Sequence, residues 1–548
     1  MTGFKGSAGT AIVTLDRLVL VTDGRYTDVA PLQIKARPLD VVNVRDESLE
    51  MVVSRVASPG FRLGYDPWLH TVADIDTLWI AAARGEFQLV PTDQNPVDAI
   101  LSVGSPSPGR AYSHADTFAG KSSGEKRRDL ARTLAADCAN SVLLSSPESV
   151  CWLLNIRGSD NEDTPLVYAF ALAHEDASVD LFIEPGKVGP ELDLGPDVRV
   201  RPYDALCGVL QRQAPGRTLA IDPASTSQVL ASIAADAGWN IRKVADPCLL
   251  PKAIKTDAEI SGARACHRRE GALLCTFWSW LEAEAVKRPV HESEIAREID
   301  QYRARDSLFQ SRSFETIPAT GPHGALPHYH VSEETDRALL NGEFLLLDSG
   351  GQYRDGTTDV TRTFCLGAPS DEMRARYTLV LRAFIRACSV RFPPLTRGIQ
   401  IDAIARDMFW REGLDFDHSL GHGVGSFLGV HEGPNRLRPN LTGLEPLRAG
   451  MITSIEPAFY APGRYGVRIE NLAVIADAAR QTEEGVRMLC FEQLTLCPID
   501  LRPALLEQLT KEEKDWLNDY HAIVRTELSP LLRGEVLGWL HIRTMPIF

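Results

Sequence analysis

The chain has 548 residues, 44% of them hydrophobic and 24% charged, with a formal net charge of −15. At about 150 residues per domain this is material for roughly three folded domains with substantial cores. The acidity excludes a nucleic-acid-binding surface, because no Lys/Arg block offsets it. The ten cysteines show no CxxC and no framework spacing, which reads as buried, reduced thiols in the cytoplasm. No apolar run approaches the ~18 residues of a membrane span, and the first residues carry no signal-peptide core.

Residues 1–118 alternate strand and helix signals, which predicts an α/β domain. Thr10 to Thr14 and Leu18 to Thr22 read as a hairpin around Asp16 and Arg17, followed by DGRY. Gly3, Gly6 and Gly9 lack the dinucleotide spacing and read as loop glycines. Residues 97–121, with their Ser, Pro and Gly cluster, read as a linker. A second α/β domain, 119–250, is expected to hold a helix at Glu125 to Ala136. Its strands are expected at Val142 to Leu144, Val167 to Ala171, Val179 to Ile183 and Thr218 to Ile221. Neither segment clusters catalytic residue types; His70, His114 and His174 there read as surface or packing residues.

A third domain spans 251–500. Thr256 and Glu259 form a capping box, so a helix is expected from Thr256 to about Glu284, burying Ile260, Leu274, Phe277, Trp278 and Leu281. Further helices are expected at Glu292 to Arg303, Ser370 to Val390 and Ile401 to Glu412, the last closed by Gly413 at C′. Strands are expected at Phe314 to Ile317, Met451 to Glu456 and Val467 to Ile475. Helices beside antiparallel strands make this an α+β domain. The tail, 501–548, reads as helices anchored by Trp516, Leu517, Tyr520 and Trp539.

The most informative stretch is FLLLDSGGQYRDGTTDVTRTF, Phe344 to Phe364. Two apolar, β-branched runs around a Gly-rich turn predict a hairpin, which lets Asp348 and Asp359 face one another. Two buried carboxylates in one place are costly unless a cation meets them. Downstream lie HSLGHGVGSFLGVHEGP (418–434), TSIEPAFY (453–460) and VRIEN (467–471), which add His422, Glu456 and Glu470. Four ionised carboxylates balance two divalent cations and leave room for a hydroxide between them. An oxygen-rich set with one imidazole favours Mn²⁺ over tetrahedral zinc; Zn²⁺ and Co²⁺ are the alternatives.

The order Asp, Asp, His, Glu, Glu, with GHGVGSFLGVHEGP and DGTTDVTRTF, resembles the Xaa-Pro aminopeptidases of the pita-bread metallopeptidase family M24. GSAGTAIVT, DGRY, RGSD at Arg157 to Asp160, SFETIPATGP at Ser313 and the helical tail extend the resemblance to nearly the whole chain, in the three-domain cytosolic form. It implies two creatinase-like α/β domains, a pita-bread α+β catalytic domain and a helical C-terminal extension. It implies that Asp359 and Glu470 bridge two metals, that Asp348 completes one site, and that His422 and Glu456 complete the other. Glu456 is also the implied general base. His328, His418 and His431 match histidines that assist the substrate, while His323 and His330 read as loop polarity. Val430, His431 and Tyr460 match the wall that receives a proline ring, and Arg468 an arginine near the site. A homodimer is implied too. The chain departs from the family pattern at Ala458, where a glycine is expected, and Met1 falls inside the first domain, after its opening strand and helix. The activity implied is removal of an N-terminal residue that precedes proline. The rivals are prolidase, which is specialised for dipeptides, and a non-catalytic peptide-binding module, which would lack ligands.

Overall fold

The computed structural model describes residues 2–35, 38–98, 100, 109–212, 216–440, 445–481 and 485–548. The chain forms two compact units, Met1–Lys252 and Ala253–Phe548. In the first unit Thr10–Val13 pairs antiparallel with Leu18–Thr22, as expected, and Leu18–Thr22 pairs parallel with Leu39–Asn43. Every residue of Leu18–Thr22 is buried, as a strand covered on both faces must be. Farther along, six strands form one sheet in the order Val198–Pro202, Val179–Ile183, Ala169–His174, Ser141–Leu144, Thr218–Ile221, Asn240–Lys243. The helix expected from Glu125 runs Ser123–Ala136, with Ser122 and Glu125 in a capping box. Of the expected linker, residue 99 and residues 101–108 lie outside the described residues, and Asp116–Ala119 is a short helix.

The second unit opens with the capping box at Thr256 and the helix Asp257–Ala285. Its apolar stripe sets the core: Leu274, Phe277, Trp278 and Leu281 cluster with Leu345, Leu347, Val360 and Phe364. Those four strand residues belong to Phe344–Ser349 and Val360–Cys365, which pair antiparallel. Side chains alternate along a strand, so burying Leu345 and Leu347 against the helix turns Leu346 and Asp348 to the opposite face. Asp348 is in register with Thr361, which shares that face. Residues 351–353 and 356–357 form a small ribbon inserted in the turn, paired to Phe309–Arg312. The unit also holds a six-stranded antiparallel sheet that carries Gly421–Gly423 and Ile452–Ile455 side by side. Leu517 and Tyr520 of the tail helix Lys511–Leu528 are buried as expected, and Trp539 packs against the core cluster.

Two strands differ from expectation. Phe314 to Ile317 is not a strand; Ile317–Thr320 is, with Ile317 opposite Asp348. The run Val467 to Ile475 is broken. Tyr465–Arg468 pairs with Ala458–Ala461, and Asn471–Gln481 then joins the large sheet. The break falls at Ile469 and Glu470, where the chain changes partners, and an apolar pattern cannot register that change. Gly413 does close its helix. Its φ is +68°, with Leu414 N–H donating to Phe409 O and Gly413 N–H to Trp410 O, the bonds of a Schellman motif.

Candidate metal centre

Three buried side chains come together from three different segments. Asp359 stands just before its strand, His422 lies in Gly421–Gly423, and Glu470 sits at the strand break. One ligand atom of each lies within 4.8 Å of the others. His422 Nε2 is 3.5 Å from Asp359 Oδ2 and 3.5 Å from Glu456 Oε1. His422 Nδ1 donates to Gly423 O at 3.0 Å, so the ring in its neutral form presents the Nε2 lone pair to the carboxylates. Glu456 Oε1 accepts from the Ser454 hydroxyl at 3.1 Å, and Glu470 Oε2 from the Thr361 hydroxyl at 2.7 Å.

Asp348 is held from one side only. Arg468 Nη2 donates to its Oδ2 at 2.6 Å, while its Oδ1 is buried without a hydrogen-bond partner among the described residues. Arg468 also donates to the Tyr460 hydroxyl at 2.6 Å and to Pro327 O at 3.4 Å, which brings the residue before His328 to the site. The Tyr460 hydroxyl and His418 Nε2 are 3.0 Å apart, and His418 Nδ1 donates to Ser419 O. His431 is exposed and its ring meets that of His422 edge-on, with centroids 4.3 Å apart. Val430 beside it is buried. Ala458 begins an ordinary strand opposite Arg468, so this backbone has no need of the glycine expected there. His323 is a correction: it is not loop polarity but a partner of the fully buried Glu292, 2.9 Å from its Oε1. His330 sits 2.8 Å from Glu315 Oε2.

The sequence reading missed Thr361 and Ser454. Thr361 was recoverable, because alternation places it on the same face as Asp348. Ser454 precedes Glu456 by two residues and follows the same rule.

Electrostatics show what the site is short of. Burial pushes the carboxyls of Asp359 and Glu470 well above the ordinary range, and the neighbouring carboxylates add to it, Asp348 for Asp359 and Asp359 for Glu470. Burial raises Glu456 to about 8, although Arg468 opposes it. Arg468 is the cation given to all four, so the set as it stands is starved of positive charge. Divalent cations fit: oxygen donors dominate, a neutral imidazole faces inward, and one buried carboxylate oxygen of Asp348 has no other use.

Residues 261–477 match the family model of metallopeptidase family M24, and 487–547 that of the C-terminal region of peptidase M24. Residues 1–98 and 104–259 each match a creatinase/prolidase N-terminal domain. A probable Xaa-Pro aminopeptidase P of Aspergillus niger is 35% identical over 566 residues, spanning 100% of this chain and 92% of its own. That of Laccaria bicolor is 36% identical over 572 residues, spanning 100% and 87%. Among solved structures, the X-prolyl aminopeptidase of Caenorhabditis elegans, described as a cytosolic enzyme with a di-nuclear active site, matches with a TM-score of 0.93. It is 32% identical, across 100% of this chain and 91% of that one. A Xaa-Pro dipeptidase from Bacillus anthracis covers 69% of this chain and 99% of its own, with a TM-score of 0.55 and 25% identity. The chain belongs to metallopeptidase family M24, with creatinase/prolidase N-terminal domains ahead of the peptidase domain.

Proposed function

We propose that this chain is a metal-dependent aminopeptidase that removes the N-terminal residue from peptides whose second residue is proline. The observation that carries the reading is likeness across the whole chain to proteins named Xaa-Pro aminopeptidase P, whereas the dipeptidase spans only 69% of it. Asp359 and Glu470 would hold both ions, Asp348 one, and His422 with Glu456 the other. Two divalent ions there, Mn²⁺ by preference, would polarise the scissile carbonyl and acidify a water.

The chain's own residues do the rest. The bond before proline has no N–H, so a pocket that accepts the ring must replace recognition of that donor. Val430, His431 and Tyr460 form the receiving wall. Glu456, backed by Ser454, takes the proton of the attacking water and passes it to the proline nitrogen as the C–N bond breaks. His328, His418 and His431 orient the substrate, and Arg468 fixes Asp348 and Tyr460. Hydrolysis of Arg-Pro-Pro, Arg-Ala-Ala and Arg-Pro tests the reading. The first is expected to be cleaved ~10²-fold faster than the second, the scale on which a shaped apolar pocket discriminates. Equal cleavage of the alanine peptide would refute the pocket, and strict preference for Arg-Pro would make the chain a prolidase.

We also infer a cytoplasmic homodimer made of four segments, 1–118, 119–250, 251–500 and 501–548. Its location rests on ten free thiols and the cytosolic C. elegans relative. The dimer rests on the family resemblance, and a single-chain mass in sedimentation would refute it. Four successive family matches support the number of segments, not their bounds; limited proteolysis that cuts within a segment first would refute them.

Metal removal is expected to make stability fall with pH. With Glu456 raised to about 8 and Asp359 and Glu470 raised with it, the folded chain binds protons more tightly than the unfolded one, whose Glu titrates near ~4.3. Between about pH 4.5 and 8 the metal-free chain therefore loses stability as pH rises. After chelation, Tm at pH 8 is expected to lie ~3 °C or more below that at pH 6, and excess Mn²⁺ to close the gap. A chelated protein that melts higher at pH 8 would contradict this.

A further inference from the structure

Behind the hairpin, two helices share a buried ion pair with no part in the reaction. Glu270, on Asp257–Ala285, is 2% exposed, and Arg303, the last residue of Glu292–Arg303, is 1% exposed. Arg303 donates from Nε and Nη2 to Glu270 Oε1, at 3.1 and 2.7 Å. Glu270 Oε2 accepts from the Tyr353 hydroxyl at 2.6 Å and from the Thr358 hydroxyl at 2.9 Å. Arg303 Nη2 also donates to Ser349 Oγ at 3.0 Å. Burial alone would raise the Glu270 carboxyl, but the Arg303 guanidinium outweighs it and holds the carboxyl below its ordinary value. The pair therefore stays ionised.

Its reach gives it meaning. Ser349 directly follows Asp348, and Thr358 directly precedes Asp359. One ion pair thus grips the hairpin beside both of its metal-facing carboxylates, one on each limb. Further hydrogen bonds hold Thr358 in place. Thr358 Oγ1 accepts from Gly351 N–H at 2.9 Å, and Thr358 O accepts from Ser313 Oγ at 2.8 Å.

We propose that Glu270 and Arg303 form a clamp that fixes the separation of Asp348 and Asp359 and thereby sets how tightly the site holds its divalent ions. They are positioning residues, and the inference rests on the metal-site reading above. Metal ligands tolerate only ~0.2 Å of misplacement, and this clamp touches both limbs next to the carboxylates themselves.

The test is the Mn²⁺ affinity of the metal-depleted full chain, measured by chelator competition, with metal content by elemental analysis. Thr358→Val keeps the shape and loses the bond to Glu270 together with the one from Gly351 N–H, which is why Ser349→Ala is read beside it. It is expected to bind Mn²⁺ ~10- to 100-fold more weakly, the range for residues that orient ligands from behind. Thr358→Ser, which keeps the hydroxyl, should stay within about threefold of wild type on the same scale. Ser349→Ala releases the Arg303 end alone, is expected to weaken binding too, and stands in if Thr358→Val fails to fold. Tyr353→Phe removes another bond to the same Glu270 oxygen, away from any ligand. It should lower Tm but leave affinity within about threefold of wild type. Wild-type affinity in both Thr358→Val and Ser349→Ala overturns the clamp. So does a Tyr353→Phe loss as large as that of Thr358→Val, which would mark general loosening. A wild-type chain that takes up no Mn²⁺ overturns instead the metal reading beneath it.

Discussion

Asp359→Asn is expected to empty the metal centre. The amide has nearly the volume of the carboxylate, so packing is kept while one negative ligand is lost. Asp359 is 4% exposed and shares with His422 and Glu470 the tightest group of donor atoms in the site. If it serves both ions, neither is held well without it. Metal content should fall from two ions per chain to fewer than one. Hydrolysis of a proline peptide should fall ~10³-fold or more, beyond the 10- to 100-fold usual for residues behind the ligands. Stability should move the other way. Burial and Asp348 push this carboxyl well above its ordinary range, so the metal-free variant should melt no lower than the metal-free wild type at pH 8. Two retained ions with normal turnover would refute the bridging role.

His431→Ala has the next largest expected effect, and a different signature. Its ring is exposed and meets His422 edge-on at 4.3 Å, but the cluster of close donor atoms is Asp359, His422 and Glu470. In the proposed reading His431 would donate to the substrate carbonyl as negative charge develops. Its loss should therefore leave both ions in place and slow turnover ~10²-fold, the scale of one lost transition-state hydrogen bond. Elemental analysis beside steady-state kinetics separates the possibilities. Metal lost in parallel with activity would make His431 a ligand.

Much of the candidate site was legible because its carboxylates lie in or beside apolar strands. Alternation put Asp348 opposite the leucines that face the helix, and glycines marked the segment around His422. Local signals of fixed geometry were legible too: the capping box at Thr256 and the Schellman glycine at 413 are read from neighbours in sequence. Features that depend on distant partners were not. The break at Glu470 follows from a change of strand partner, and Ile317–Thr320 is a strand because it pairs with Phe344–Ser349. His323 sits in a loop by pattern, yet a buried Glu292 on another element claims it. Glu270 and Arg303 lie on ordinary amphipathic helices, and only the fold shows that they meet the residues beside Asp348 and Asp359.

The most direct test of the account is to titrate chelated, metal-free chain with Mn²⁺ and follow hydrolysis of Arg-Pro-Pro. Cleavage between Arg and Pro is expected to be absent without metal, to rise with added Mn²⁺, and to saturate once two ions are bound per chain. Full hydrolysis by protein that elemental analysis shows to be free of metal would contradict it.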